Sequence, residues 1–298
     1  MNSYLPEREH GFDTIRGHDY KYALSDRLAC DDLFAAGLYP ATVSLEILMK
    51  ISVITAAYNS QETVAYTIES FLSQHHGDKE LIIVDGASSD QTVKIVESFR
   101  SPEICFFSEK DRGVYDAMNK GFHRFTGDAV GFLNSDDTFH DADVLSDIAV
   151  GLADSDIVYG DLNMVTEHRT KRVTRVWRGG TFHRYSFQLG WVPPHPTFYM
   201  RKEVAKKVGD HDLSYVTTAD YDYMLRALML NDFRVRYIPR VFVDFQMGGI
   251  STSGLGVTIR GNLECLRSRR EHLNAPVIDA AFFLRFLRRI LQIRRSGF

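Results

Sequence analysis

Gly131-Phe132-Leu133-Asn134-Ser135-Asp136-Asp137 is the place where an apolar run stops and two adjacent carboxylates follow. A strand that ends this way presents both acids at the edge of a sheet. Adjacent carboxylates repel, so they are tolerated in water or beside a cation, and a hard divalent metal with phosphate oxygens suits them. Asn, Ser and Asp are also good turn formers, so the same stretch fits a plain turn. The flanking sequence weighs between the two.

Working outward, 129–133 reads as the fourth in a series of strands separated by amphipathic helices. The first strand spans 51–57, and Tyr58-Asn59-Ser60 ends it where a helix can start. Val64, Ile68, Phe71 and Leu72 mark one face of that helix, and Asn59 and Glu62 have the spacing of a capping box. A second strand at 81–84 stops at Asp85-Gly86. The next helix opens at Ser88 and Gln91 and turns Val93, Val96 and Phe99 inward. A third strand covers 104–107, and a third helix carries Val114, Ala117, Met118, Gly121, Phe122 and Phe125. Strands alternating with helices argue for parallel βαβ units, whose ligands sit at the carboxyl ends of the strands. Tyr58-Asn59, Asp85-Gly86 and the 134–137 stretch would then share one edge.

Downstream, a helix beyond Asp141 leads to a strand at 156–161. A further strand at 173–177 makes the sheet mixed. Pro193, Pro194 and Pro196 around His195 require an ordered loop. A helix over 219–230 turns Met224, Leu225, Leu228 and Met229 inward, and short strands follow at 234–238 and 241–245. Residues 1–49 form an extension to which the sequence assigns no chemistry.

The formal net charge of −4 gives no reason to expect nucleic acid as a partner. Cys30, Cys105 and Cys265 lie far apart without a CxxC pair, so neither a disulfide framework nor a zinc site is indicated, and a reduced, cytoplasmic setting fits. No apolar run approaches the roughly 20 residues of a spanning helix. The first strand exit has no glycine cradle for a dinucleotide, and neither a P-loop nor a Gly-x-Ser-x-Gly elbow is present. A nucleotide-type edge bearing carboxylates implies that metal neutralises the phosphates.

The runs Ile51-Ser52-Val53-Ile54-Thr55-Ala56-Ala57-Tyr58-Asn59, Ile83-Val84-Asp85-Gly86-Ala87-Ser88-Ser89-Asp90-Gln91-Thr92, Asp111-Arg112-Gly113-Val114-Tyr115-Asp116-Ala117-Met118-Asn119-Lys120-Gly121 and the stretch from Gly127-Asp128 to Asp137 resemble, in order and spacing, the family 2 glycosyltransferases of the GT-A fold. The resemblance resumes at His195-Pro196-Thr197-Phe198, Ala219-Asp220-Tyr221-Asp222 and Gly248-Gly249-Ile250-Ser251, and so covers roughly 50–253. It implies an α/β fold with a Rossmann-like, mostly parallel sheet over 50–140 and a smaller mixed acceptor half over 141–255. It further implies inverting transfer of a sugar from a nucleotide-diphosphate donor to a hydroxyl of a glycan or lipid-linked acceptor, assisted by Mg²⁺ or Mn²⁺. By position, Thr55 and Tyr58 would border the nucleotide, Asp85 would receive hydrogen bonds from base or ribose, and Arg112 would face the diphosphate. Asp136 and Asp137 would match the acidic metal motif, with Asp137 the more direct ligand. The family's base matches Asp220, although the Glu usual before it is Ala219 here. Asp222 is the rival base, but it stands four residues before Arg226, as in a surface ion pair. His195 is a candidate for the acceptor pocket. The glycines over 248–253 suggest a loop closing over the donor.

Residues 256–298 read as a basic tail. Within it Phe283, Phe286, Leu287, Ile290 and Leu291 share one helical face, opposite Arg285, Arg288, Arg289, Gln292 and Arg295. Such a helix suits an anionic surface at the inner face of the cell membrane, or docking on the catalytic domain with its arginines in solvent. A sugar nucleotidyltransferase and a non-catalytic glycan-binding relative are the rival functions.

Overall fold

The computed structural model describes residues 49–166, 172–247 and 255–276, together with 280, 281 and 284. The first half follows the alternation read from the sequence: β1 (Ile51–Ala57), α1 (Val64–Leu72), β2 (Lys79–Asp85), α2 (Thr92–Ser98), β3 (Ile104–Ser108), α3 (Val114–Phe122) and β4 (Ala129–Phe132). β1 pairs in parallel with β2 on one side and β4 on the other, and β2 pairs in parallel with β3. Successive residues of β1 point to opposite faces. Val53 joins the core under α1, and Ile54 joins the core under α3, so the sheet is covered on both sides. Gly131 of β4 admits the Tyr199 ring where any Cβ would collide with it.

After β4 the chain forms β5 (Asp137–Phe139), α4 (Val144–Ala153), β6 (Ile157–Val165) and β7 (Val173–Trp177). A 3₁₀ turn (His195–Thr197), β8 (Tyr199–Arg201), α5 (Lys202–Val208), α6 (Ala219–Met229), β9 (Val235–Gln246) and α7 (Leu255–Leu273) complete the described elements. The sheet runs β3-β2-β1-β4-β8-β6-β9-β5, with β7 added to β6. β8, β7 and β5 pair antiparallel, which makes the sheet mixed beyond β4.

Several elements depart from the sequence reading. β9 is one strand of 12 residues instead of two short ones. The register against β6 slips between Tyr159 and Asp161, and this irregularity accommodates Pro239, which has no N–H to give to the ladder. β5 and β8 hold only three residues each, too few to show a period. The first part of the stretch read as a tail is α7, which buries Cys265, Ser268 and Arg269, with Arg269 donating from Nη1 to the Tyr221 hydroxyl at 2.9 Å. The 1–48 extension, the glycines of 248–253 and the amphipathic stretch from Phe283 to Arg295, Leu284 excepted, lie outside the described residues.

Candidate active site

The strand order reverses at β1, whose neighbours β2 and β4 continue in opposite directions, and a crevice opens at such a switch point beyond the carboxyl ends of the strands. Tyr58 stands there, 56% exposed. Asn59 and Ala87, at the exits of β1 and β2, both have positive φ (48° and 61°), a conformation costly for non-glycine residues and concentrated at functional sites. Asn59 does not cap α1. Its Oδ1 accepts from the Ser89 N–H at 2.9 Å, and its own N–H donates to Ser88 Oγ at 2.8 Å, so it ties the two exits together. The α1 cap position is Thr63, with no side-chain cap, which corrects the capping-box reading.

Thr55 and Asp85 lie beneath this edge. The buried Thr55 hydroxyl donates to the Leu133 carbonyl at 2.7 Å and so fastens β1 to β4. Asp85 is buried and accepts from the Ser88 N–H (3.0 Å), the Ser88 hydroxyl and the Ser108 hydroxyl (2.7 Å). In this structure both brace the crevice from below. Arg112 is exposed and pairs with Asp116 at 2.9 Å, one turn into α3.

The acidic stretch is a turn and an acidic edge together. The Asp137 N–H donates to the Asn134 carbonyl at 3.1 Å, closing a turn, and Asp137 then opens β5 against the end of β9. Its carboxylate, 0% exposed, accepts from Gln246 N–H at 3.1 Å and from Asn134 Nδ2 at 2.7 Å. Asp136 is half-buried and is the carboxylate open to a ligand. Burial raises the proton affinity of both acids, and the neighbouring Asp136 charge raises that of Asp137 further, well above the usual carboxylate range, against the lowering effect of its two hydrogen bonds. A cation would relieve that strain, and two carboxylates are the hard oxygen donors that Mg²⁺ or Mn²⁺ takes. Among the described residues no group of three or more His, Cys, Asp or Glu side chains converges on one point. In this geometry Asp136 offers the more accessible oxygens, and Asp137 brings buried charge already engaged by two donors.

α6 carries both candidate bases in its first turn and sets them in different surroundings. Asp220, half-buried in its first turn, receives the Tyr115 hydroxyl at 3.1 Å. Asp222 is 1% exposed and is held by Arg226 Nε (2.8 Å), Ser268 Oγ (2.8 Å) and His272 Nε2 (3.1 Å). Its pair with Arg226 is therefore buried, not superficial as the spacing suggested, and its oxygens are committed to holding α7 on α6. His195 lies 8% exposed, its ring stacked on Phe132 at 5.0 Å, with Nε2 buried and lacking a partner among the described residues. Burial keeps it neutral, lowering its proton affinity against the opposing pull of Asp220.

His211 is a neighbour of this site that the sequence reading did not single out. Its backbone N–H (2.8 Å) and Nδ1 (3.0 Å) meet Asn119 Oδ1, while Asn119 Nδ2 donates to the His211 carbonyl at 2.9 Å. Its ring stacks with Tyr115, Phe122 and Tyr223. Because Asn119 Oδ1 can only accept, Nδ1 carries the proton and Nε2 is bare. Burial first, then the nearby His195 and Arg226, depress its proton affinity well below the usual value. The one available hint was that Tyr115 and Asn119 stand one helical turn apart in the quoted motif.

Comparison with known proteins agrees with this architecture. The model of glycosyl transferase family 2 matches residues 52–209. A PGL/p-HBAD biosynthesis glycosyltransferase of Mycobacterium bovis is 30% identical over 209 residues, 68% of this chain and 79% of the relative. An uncharacterized glycosyltransferase of Mycobacterium tuberculosis is 31% identical over 182 residues, 60% of this chain and 69% of the relative. The chain belongs to glycosyl transferase family 2, and the protein is a glycosyltransferase. In fold it is similar to S. aureus TarS 1–349 in complex with UDP-GlcNAc, with a TM-score of 0.61 at 19% identity over 84% of this chain and 75% of that one. It is likewise similar to the mannosyltransferase PcManGT of Pyrobaculum calidifontis in complex with GDP-Man and Mn²⁺, with a TM-score of 0.56 at 18% identity over 78% of this chain and 67% of that one.

Proposed function

We propose that the protein transfers a sugar, with inversion, from a nucleoside-diphosphate sugar to a hydroxyl of a glycan or glycolipid, with a divalent metal. The observation that carries this reading is the pairing of an acidic crevice at the β1/β4 switch point with a separate carboxylate, Asp220, on the acceptor side. Tyr58 at the crevice mouth borders the nucleotide, above the braces Thr55 and Asp85, and Arg112 is free to swing from Asp116 to the diphosphate. Asp136 and Asp137 would hold Mg²⁺ or Mn²⁺, which when bound holds the diphosphate and offsets the charge developing on it as the glycosidic bond breaks. Asp220 accepts the proton of the acceptor hydroxyl while that oxygen bonds to the anomeric carbon and the nucleoside diphosphate departs. The relatives named as PGL/p-HBAD biosynthesis glycosyltransferases support a biosynthetic sugar transfer, and the UDP-GlcNAc and GDP-Man complexes of the structural neighbours support a nucleotide-sugar donor. No helix among the described residues is long and apolar enough to cross a membrane. A cytoplasmic enzyme touching the inner membrane face through its basic carboxyl end fits a glycolipid acceptor.

The test is a panel of UDP-glucose, UDP-N-acetylglucosamine and GDP-mannose, with and without Mg²⁺ or Mn²⁺, scored for bound donor and released nucleoside diphosphate. Metal-dependent binding that Asp136→Ala and Asp137→Ala both weaken is the expected result. Donor binding indifferent to metal and to both substitutions overturns the metal assignment.

A further inference from the structure

α3 joins the two halves of the site. Its first turn follows Asp111-Arg112-Gly113, the segment that the proposed function sets beside the diphosphate, and its body lies against β1 and β2. From the same helix Tyr115 reaches across to Asp220 at 3.1 Å, and Asn119, one turn on, clasps the backbone and ring of His211. His211 belongs to the segment joining α5 to α6, the helix whose first turn carries Asp220. The Tyr115 ring is fixed by its stack on the clamped His211 ring, 5.8 Å between centroids and 26° between planes. Its hydroxyl therefore has little freedom.

We propose that Tyr115 is a positioning residue for the reaction: its hydroxyl, held by the Asn119–His211 clasp, fixes the Asp220 carboxylate in the orientation that receives the acceptor's proton. This rests on the reading of Asp220 as the base. The hydrogen bond occupies Oδ1 and leaves Oδ2 for the acceptor hydroxyl. It also ties base geometry to the helix that starts at the diphosphate, so donor and base sit on one rigid frame.

The experiment is Tyr115→Phe, which keeps the ring and its stack, measured beside Asp220→Asn and the double variant. The readout is release of UDP or GDP from UDP-N-acetylglucosamine or GDP-mannose, whichever the panel selects, with water as acceptor. The expected result is a kcat about 10- to 100-fold lower, part of the general-base contribution, with melting temperature and donor KM unchanged. Acting through Asp220, the substitution should cost nothing further in the Asp220→Asn background. Full kcat in Tyr115→Phe, or a loss that adds in full to that of Asp220→Asn, overturns the positioning role. If Asp220→Asn itself keeps wild-type turnover, the base assignment falls. If Asp220→Asn is impaired and Tyr115→Phe is not, only the role of Tyr115 falls.

Discussion

Asp220 and Asp222 stand two residues apart on one helix turn, yet the structure gives them opposite surroundings. Asp220 has one neutral donor and an open side, whereas Asp222 is sealed among Arg226, Ser268 and His272. Removing a buried charge strands its partners, so Asp222→Ala should cost about 3 kcal/mol of stability, read as a lower denaturation midpoint. Asp220→Ala should leave that midpoint nearly unchanged and abolish most of the transfer. The i,i+4 spacing to Arg226 announced the ion pair, but its burial depends on α7, whose Ser268 and His272 lie more than forty residues away in the chain. Asp136 and Asp137 repeat the lesson. Their adjacency marked an acidic edge, while the donors that engage Asp137 come partly from Gln246 at the end of a strand formed much later in the sequence.

Among the elements, the amino ends of the parallel strands are pinned by Glu80 of β2. It accepts from Ser52 Oγ of β1 at 2.6 Å and from the Thr126 N–H and hydroxyl, both at 2.7 Å, and it pairs with Lys50 at 2.7 Å. Burial alone would raise its proton affinity, but the Lys50 pair and the Ser52 and Thr126 bonds outweigh it and bring the carboxyl down to about 2. A folded value below the unfolded one stabilises the protein above the unfolded pKa and is lost as pH falls towards the folded value. Glu80→Gln should therefore lose about 3 kcal/mol at neutral pH, and its deficit against wild type should shrink between roughly pH 4.5 and 2, followed by urea denaturation across that range. The helices and strands of the first half were legible because each is long and periodic. β5, β8 and the fusion of two short strands into β9 were not, since only pairing partners define elements so brief or so interrupted.

At the scale of the whole molecule, the basic stretch from Phe282 to Arg295 bears on where the enzyme works. If it binds an anionic surface, the full chain should float with phosphatidylglycerol vesicles at low salt and detach as salt screens the contact. Replacing Arg285, Arg288, Arg289 and Arg295 with Gln should abolish flotation without changing nucleotide-sugar turnover in solution. Flotation that survives these changes would assign the contact elsewhere. By itself the sequence determined the parallel βαβ half, the edge that gathers Tyr58, Asp85 and the acidic pair, and the family. The half-sheet and its edge rest on local periodicity and on the rule that parallel sheets carry ligands at their strand ends, and the family rests on the resemblance of the quoted motifs in order and spacing. Only the tertiary structure decided which carboxylates are open and which are committed. It also showed that Thr55 and Asp85 brace the crevice from below and that Tyr115, stacked on His211, reaches Asp220. Burial and hydrogen-bond partners at these positions come from segments remote in the chain, and no local pattern encodes them.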